Sequence, residues 1–209
     1  MAGARCEIEI GRLRVPDQPA AALLLARAFE SNPLNLAVIR SQDPARRRRC
    51  NALSMRCLLP VAEVHGLVLA ASLGGKLAGV LVAAPPDRYP FPPAALRPRL
   101  RALFIQGLAV ARRWREAFDA LDARHPTTSH WYLGTLGVEP SLQGRGVGTA
   151  LARGWLVRVD RDRAAAYLET DRAENLPFYA RLGFSPLAEF RVLGAPVTAM
   201  ERAPCAEVR

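Results

Sequence analysis

Apolar and charged residues alternate over residues 6–14, starting at Cys6, the period of a half-buried strand. Pro16 and Asp17 then open an Ala- and Leu-rich helix, which the pair Asn32-Pro33 stops near residue 31. A second helix is predicted from Asp43-Pro44, an N-capping residue followed by a first-turn proline, and it ends before Gly66. Two strands follow over 67–72 and 77–83, joined at Gly74-Gly75 as a hairpin. The proline-rich stretch 85–98 reads as a loop inside one domain, because neither flank has a self-sufficient core. Helical periodicity returns over 100–123. The C-terminal half is sharper: strand 131–138, a glycine-rich turn, helix 147–160, strand 164–170, and a short helix 175–182 stopped by Gly183. Strands 188–193 and 197–202 close the pattern around Gly194. The strand–helix–strand unit over 131–170 implies that its two strands lie parallel or adjacent.

Composition bounds the possibilities. The 209 residues suit one large domain, and half of them are apolar, enough for a core without disulfides. Cys6, Cys50, Cys57 and Cys205 form no C-x-x-C pair, so reduced thiols in a cytoplasmic protein are expected. His65, His125 and His130 have no metal-ligand spacing, and no metal is expected. No apolar run approaches the roughly 20 residues of a membrane helix, so no membrane partner is expected. The formal charge of +10 is almost wholly arginine, with Lys76 the only lysine. It reads either as compositional bias or as affinity for a polyanion, whether nucleic acid or a phosphate-rich cofactor.

The chemistry concentrates in the turn Gln143, Gly144, Arg145, Gly146, Val147, Gly148, Thr149, between a predicted strand and a predicted helix. Glycines let the backbone approach a ligand, and the helix start adds unpaired N–H groups and a positive dipole end. Together these suit a pyrophosphate, with Gln143 and Arg145 as added donors; the competing reading is a tight turn whose glycines serve packing. A phosphate-binding P-loop would need a lysine, absent here, and the dinucleotide fingerprint needs a different glycine spacing.

The next segment joins Leu168-Glu169-Thr170 to Glu174-Asn175-Leu176-Pro177-Phe178-Tyr179-Ala180-Arg181-Leu182-Gly183-Phe184. Here the chain resembles the GNAT superfamily of acyl-CoA-dependent N-acyltransferases. Gln143, Gly146 and Gly148 match its [QR]-x-x-G-x-[GA] loop, and Asn175, Tyr179, Gly183 and Phe184 match its N-x-x-x-Y-x-x-x-G-F element, in the family's order. The segments Trp131-Tyr132-Leu133-Gly134-Thr135-Leu136-Gly137-Val138 and 168–179 resemble the puromycin N-acetyltransferase group in particular. The resemblance implies an α/β (α+β) fold, a single GNAT-type domain with a mixed, strongly twisted sheet of six to seven strands flanked by helices. It also implies acetyl-CoA as co-substrate, a small-molecule primary amine as acceptor, direct attack in a ternary complex, and a monomer or homodimer with no nucleic-acid partner.

By that resemblance Leu136, Gly137 and Val138 bind the pantetheine arm and polarise the thioester oxygen, and Asn175 contacts the same arm. Tyr179 is the expected general acid, four residues after Asn175 on a shared helix face, a phenol with a reference pKa of about 10. Glu169 is the candidate base; its bland alternative is a structural carboxylate. Glu139 and Asp171 are weaker candidates, Asp171 together with Glu174 being expected to cap the short helix. Trp131, Tyr132, Phe91 and Phe104 are candidates for an acceptor pocket or, alternatively, core. Arg46 to Arg49 reads as a solvated helix face. Two other functions compete: a non-catalytic acyl-CoA-binding domain and a basic nucleic-acid-binding protein.

Overall fold

The computed structural model describes residues 7–205, so Cys6, the first residue of the first expected strand, lies outside the described residues. The strands are Ile8–Arg12 (β1), Leu67–Leu73 (β2), Lys76–Ala84 (β3), His130–Val138 (β4), Ala165–Thr170 (β5), Ser185–Val192 (β6) and Ala195–Arg202 (β7). They form one sheet in the order β1-β2-β3-β4-β5-β7-β6. Every neighbouring pair is antiparallel except β4–β5, which is parallel, as the strand–helix–strand unit requires. The helices are Gln18–Ala28 (α1), Pro33–Ile39 (α2), Pro44–His65 (α3), Leu96–Gln106 (α4), Leu108–Asp122 (α5), Val147–Arg161 (α6) and Leu176–Ala180 (α7).

Central strands are apolar on both faces because helices cover both. On β2 and β3, Leu67, Leu69 and Leu81 join one core with Leu151, Trp155 and Val159 of α6. The intervening Val68, Val80 and Val82 join a second core with Leu24, Leu25 and Leu59 of α1 and α3. That alternation is the two-residue period of a pleated strand, read twice.

Two helical boundaries differ from expectation. Asn32-Pro33 does end α1, but Pro33 also starts α2, where a missing N–H costs nothing. The expected helix over 100–123 begins at Leu96 and is two helices, α4 and α5, broken at Gly107, whose φ of 86° lies outside the range a helix allows. The break turns α4 back onto α3: Gln106 Nε2 donates to the Cys50 carbonyl at 2.8 Å and to Ser54 Oγ at 3.1 Å. The helices α3, α4 and α5, with the residues around Tyr89, thereby wall a space above the sheet.

Candidate active site

The parallel ladder between β4 and β5 is short, running only from His130↔Ala165 to Leu133↔Leu168. Beyond it β4 continues to Val138, with β3 as its ladder partner on one edge. The two strands part, and Leu136, Gly137 and Val138 have a free edge toward β5, as an extended ligand arm would need.

At the end of β4 the chain passes through the expected glycine-rich turn into α6. Gln143, Gly144, Arg145 and Gly146 are all exposed. Gly144 and Gly146 have φ of 76° and 86°, and Gly146 is itself the N-cap of α6 without a capping side chain. Among the described residues no acceptor pairs with the backbone N–H groups of Gly144, Arg145 or Gly146, and those of Val147, Gly148 and Thr149 open the helix. No acidic residue occupies that first turn. The turn is thus an open nest of donors at a positive helix end, which fits a diphosphate. Gln143 does part of its work internally, its Nε2 donating to the Val138 carbonyl at 3.3 Å and fastening the turn to β4. Arg145 makes no hydrogen bond or ion pair among the described residues. Gly148 lies against both Val138 and the Phe178 ring, so the turn, β4 and α7 meet at one place.

Asn175 ends a single 3-10 turn ahead of α7, and its Nδ2 donates to Thr170 Oγ1 at 3.3 Å. Tyr179 is 7 % exposed, its ring edge-on to Phe178, and its hydroxyl has no hydrogen-bond partner among the described residues. Burial, with a smaller contribution from the negative charge of Asp171, pushes the phenol well above its ordinary value, so it holds its proton at neutral pH.

Glu169 lies near the end of β5 in the floor of the space above the sheet, a cavity of about 1010 Å³ with a mostly apolar lining. Its side chain is 7 % exposed and its Oε1 is unpaired. Aromatic groups surround it. The Tyr132 and Tyr167 hydroxyls are pushed up chiefly by burial and then by the Glu169 charge. His125 Nδ1 stands 3.9 Å from Glu169 Oε1. The His125 ring stacks on Tyr89 at 4.5 Å, and its Nε2 lies 3.0 Å from His130 Nε2. His130 Nδ1 meets the Thr128 carbonyl at 2.6 Å and must therefore be the protonated nitrogen. Its Nε2 then accepts from His125 Nε2.

The other candidates sort cleanly. Glu139 is held by Arg27 in a 2.6 Å ion pair. Asp171 does not cap the short helix with Glu174; it reaches across to α2, accepting from Leu34 N at 2.9 Å and from Asn32 Nδ2 at 3.1 Å. Tyr132 and Phe91 line the cavity. Trp131 instead sits in the core with Nε1 donating to Asp162, and Phe104 projects from α4, 90 % exposed. Arg47 and Arg48 tie α3 to Glu30, while Arg46 and Arg49 are exposed. Sequence reasoning missed Tyr89 and Asn51 of the cavity wall, and His125 stacked on Tyr89, which belong to no local motif. Among the described residues no group of three His, Cys, Asp or Glu side chains is placed to hold a metal, and no helix is long and apolar enough to cross a membrane.

A split parallel strand pair, an open donor nest at a helix start and a buried tyrosine beside it are features that suit an acyltransferase. Residues 65–186 match the acetyltransferase (GNAT) domain, and the chain belongs to that family. It is similar, at 29 % identity and a TM-score of 0.71, to the crystal structure described as histone acetyltransferase HPA2 and related acetyltransferase from Corynebacterium glutamicum, over 97 % of this chain and 99 % of that one. The fold is shared with the polyamine N-acetyltransferase of Drosophila melanogaster (15 % identity, TM-score 0.66, 94 % and 100 % covered). It is shared too with the PaiA N-acetyltransferase of Thermoplasma acidophilum in complex with coenzyme A (14 %, 0.59, 94 % and 99 %).

Proposed function

We propose that this protein transfers the acetyl group of acetyl-CoA to a primary amine of a small molecule, by direct attack in a ternary complex. The observation that carries the reading is the juxtaposition of the open turn around Gly146 with β4, Phe178 and Tyr179. Acetyl-CoA supplies an activated thioester; this chain supplies position and proton handling. Backbone donors of Gly144, Arg145, Gly146 and the first turn of α6 hold the diphosphate. Leu136, Gly137 and Val138 align the pantetheine arm along the free edge of β4 and offer an N–H to the carbonyl oxygen. Asn175 steadies the same arm. Tyr179 donates its proton to the departing thiolate.

Glu169 takes the ammonium proton, directly or through water. Its Oε1 lies 3.9 Å from His125 Nδ1 at the edge of the cavity. Within the family, the sequence around 131–138 and 168–179 favours the puromycin N-acetyltransferase group, and a large aromatic-walled cavity suits a bulky amine. Cytoplasmic location accords with three free thiols among the described residues.

The test is thiol release from acetyl-CoA across a panel of primary amines, with mass spectrometry of the product. An acetylated amine is expected from the wild type. A Gly146→Val variant, whose added side chain resists a φ of 86° and narrows the nest, is expected to raise the KM for acetyl-CoA by roughly tenfold or more. Thiol release with no dependence on amine, or none at all, would overturn the reading.

A further inference from the structure

The helix α4 is rich in apolar residues, yet from Leu96 to Gln106 only Gln106 is buried. Leu96, Leu100 and Phe104 are 66 %, 54 % and 90 % exposed. Four-residue steps place the three along one line of the helix. Leu108, just past the break at Gly107, continues the exposure at 77 %. Leu96, Leu100 and Leu108 lie at the rim of the cavity, whereas Phe104 does not line it, so a ligand filling the cavity would leave the Phe104 ring in water. Adjoining exposed apolar side chains of this kind mark a contact face.

Charge selects what that face meets. α4 carries three arginines and no acid. By helical spacing Arg97 and Arg101 follow the apolar line on one flank and Arg99 lies on the other. All three are exposed, and none of their guanidinium groups has a hydrogen bond or ion pair among the described residues. Arg56 of α3 joins Arg97 and Arg101 around a recess that no acidic residue lines. Arg112, one turn beyond Leu108, is exposed too, and the acids of α5, Glu116, Asp119 and Asp122, come only in its second half. A second copy of α4 would set arginine against arginine, because both flanks of the apolar line are basic. An acidic protein presents carboxylates at fixed points, on which arginines diverging to either side of one helix do not converge. A layer of phosphate groups meets both flanks at once, while the apolar line enters between the headgroups and the arginine stems reach back to the phosphates. We propose that α4, with Leu108, docks this protein on a bilayer surface rich in anionic phospholipid. The expectation of no membrane partner rests on the length needed to cross a bilayer; a helix lying in the headgroup layer needs no such length. The docking does not depend on the acyl-transfer reading.

The test is flotation of the full chain with vesicles of phosphatidylcholine alone and of phosphatidylcholine mixed equally with phosphatidylglycerol. Binding to the mixed vesicles and not to the neutral ones is expected. A chain of charge +10 could also bind them through other arginines, so the deciding variants leave charge at α4 untouched or change it elsewhere. Phe104→Ser keeps every charge and is expected to weaken vesicle binding by roughly tenfold or more. Arg46→Gln with Arg49→Gln, exposed positions of α3, is expected to weaken it far less than Arg97→Gln with Arg101→Gln. Phe104→Trp reports the site directly: mixed vesicles should shift its emission to the blue, and brominated phospholipid should quench it beyond the wild type. These side chains are exposed, so the variants keep the wild-type Tm. Absence of binding to the mixed vesicles would overturn the proposal, as would equal binding by Phe104→Ser or an unshifted Phe104→Trp emission. A dimer by light scattering that Phe104→Ser dissolves, without vesicle binding, would also overturn it and give the face to a second copy.

Discussion

Tyr179, the proposed general acid, is held protonated by its surroundings. Burial against Phe178 and Phe184 and the nearby Asp171 carboxylate both disfavour the phenolate, so the proton stays on oxygen until a stronger base arrives. A thiolate leaving CoA is such a base. Tyr179→Phe is expected to lower kcat by roughly tenfold or more with little change in the KM for acetyl-CoA, read from initial rates of CoA release. Its place four residues after Asn175 was legible from the motif. The identity of the group behind Glu169 was not: His125 approaches from beyond α5, and only the fold stacks it on Tyr89 beside β5.

The element scale explains why Asp171 was misread. From the sequence it precedes a short helix and looks like that helix's cap. In the fold, β5 delivers it beside the α1–α2 turn, where Asn32 and Leu34 present unpaired N–H groups. Arg172 adds bonds to Asn32 Oδ1 and Ser31 Oγ, so the end of β5 and the start of α2 hold each other. Removing the carboxylate with Asp171→Ala should cost about 1–2 kcal/mol of folding stability, measured by urea denaturation, as loss of an N-cap does. An unchanged urea midpoint would mean that the α2 donors find water instead. The division of α4 from α5 has the same character. Gly107 is visible in the sequence, but an isolated glycine within a periodic stretch is tolerated often enough that the break was not evident.

Across the whole molecule, the charge of +10 comes from arginines that are mostly exposed, three of which, Arg99, Arg112 and Arg115, line the cavity that holds Glu169. The buried imidazole at the junction of α5, β4 and β5 makes stability depend on pH. Burial lowers the His130 pKa from its ordinary value, outweighing its bond to Thr128, with His125 on one side and Glu169 and Asp87 nearby. The unfolded chain therefore binds the proton first as pH falls below about 6.5, and folding stability declines from there down through the lower folded value. The urea midpoint should be higher at about pH 7.5 than at about pH 5.5, and His130→Gln should flatten that slope.

What the sequence by itself determined is local and repetitive. The two-residue and near-four-residue periods located the sheet and most of the helices. The glycine spacing marked the nest at α6, and the element from Asn175 to Phe184 marked the proposed acid, Tyr179. Each of these depends on neighbours in the chain, so each can be read along it. The tertiary structure decided what depends on distant segments meeting. It drew β4 and β5 apart after Leu133 and Leu168, sent Asp171 to α2 and Glu139 to Arg27, and closed α3, α4 and α5 over one cavity. Pairings across a hundred or more residues are set by packing rather than by spacing, and so the donor half of the site was legible while the acceptor half was not.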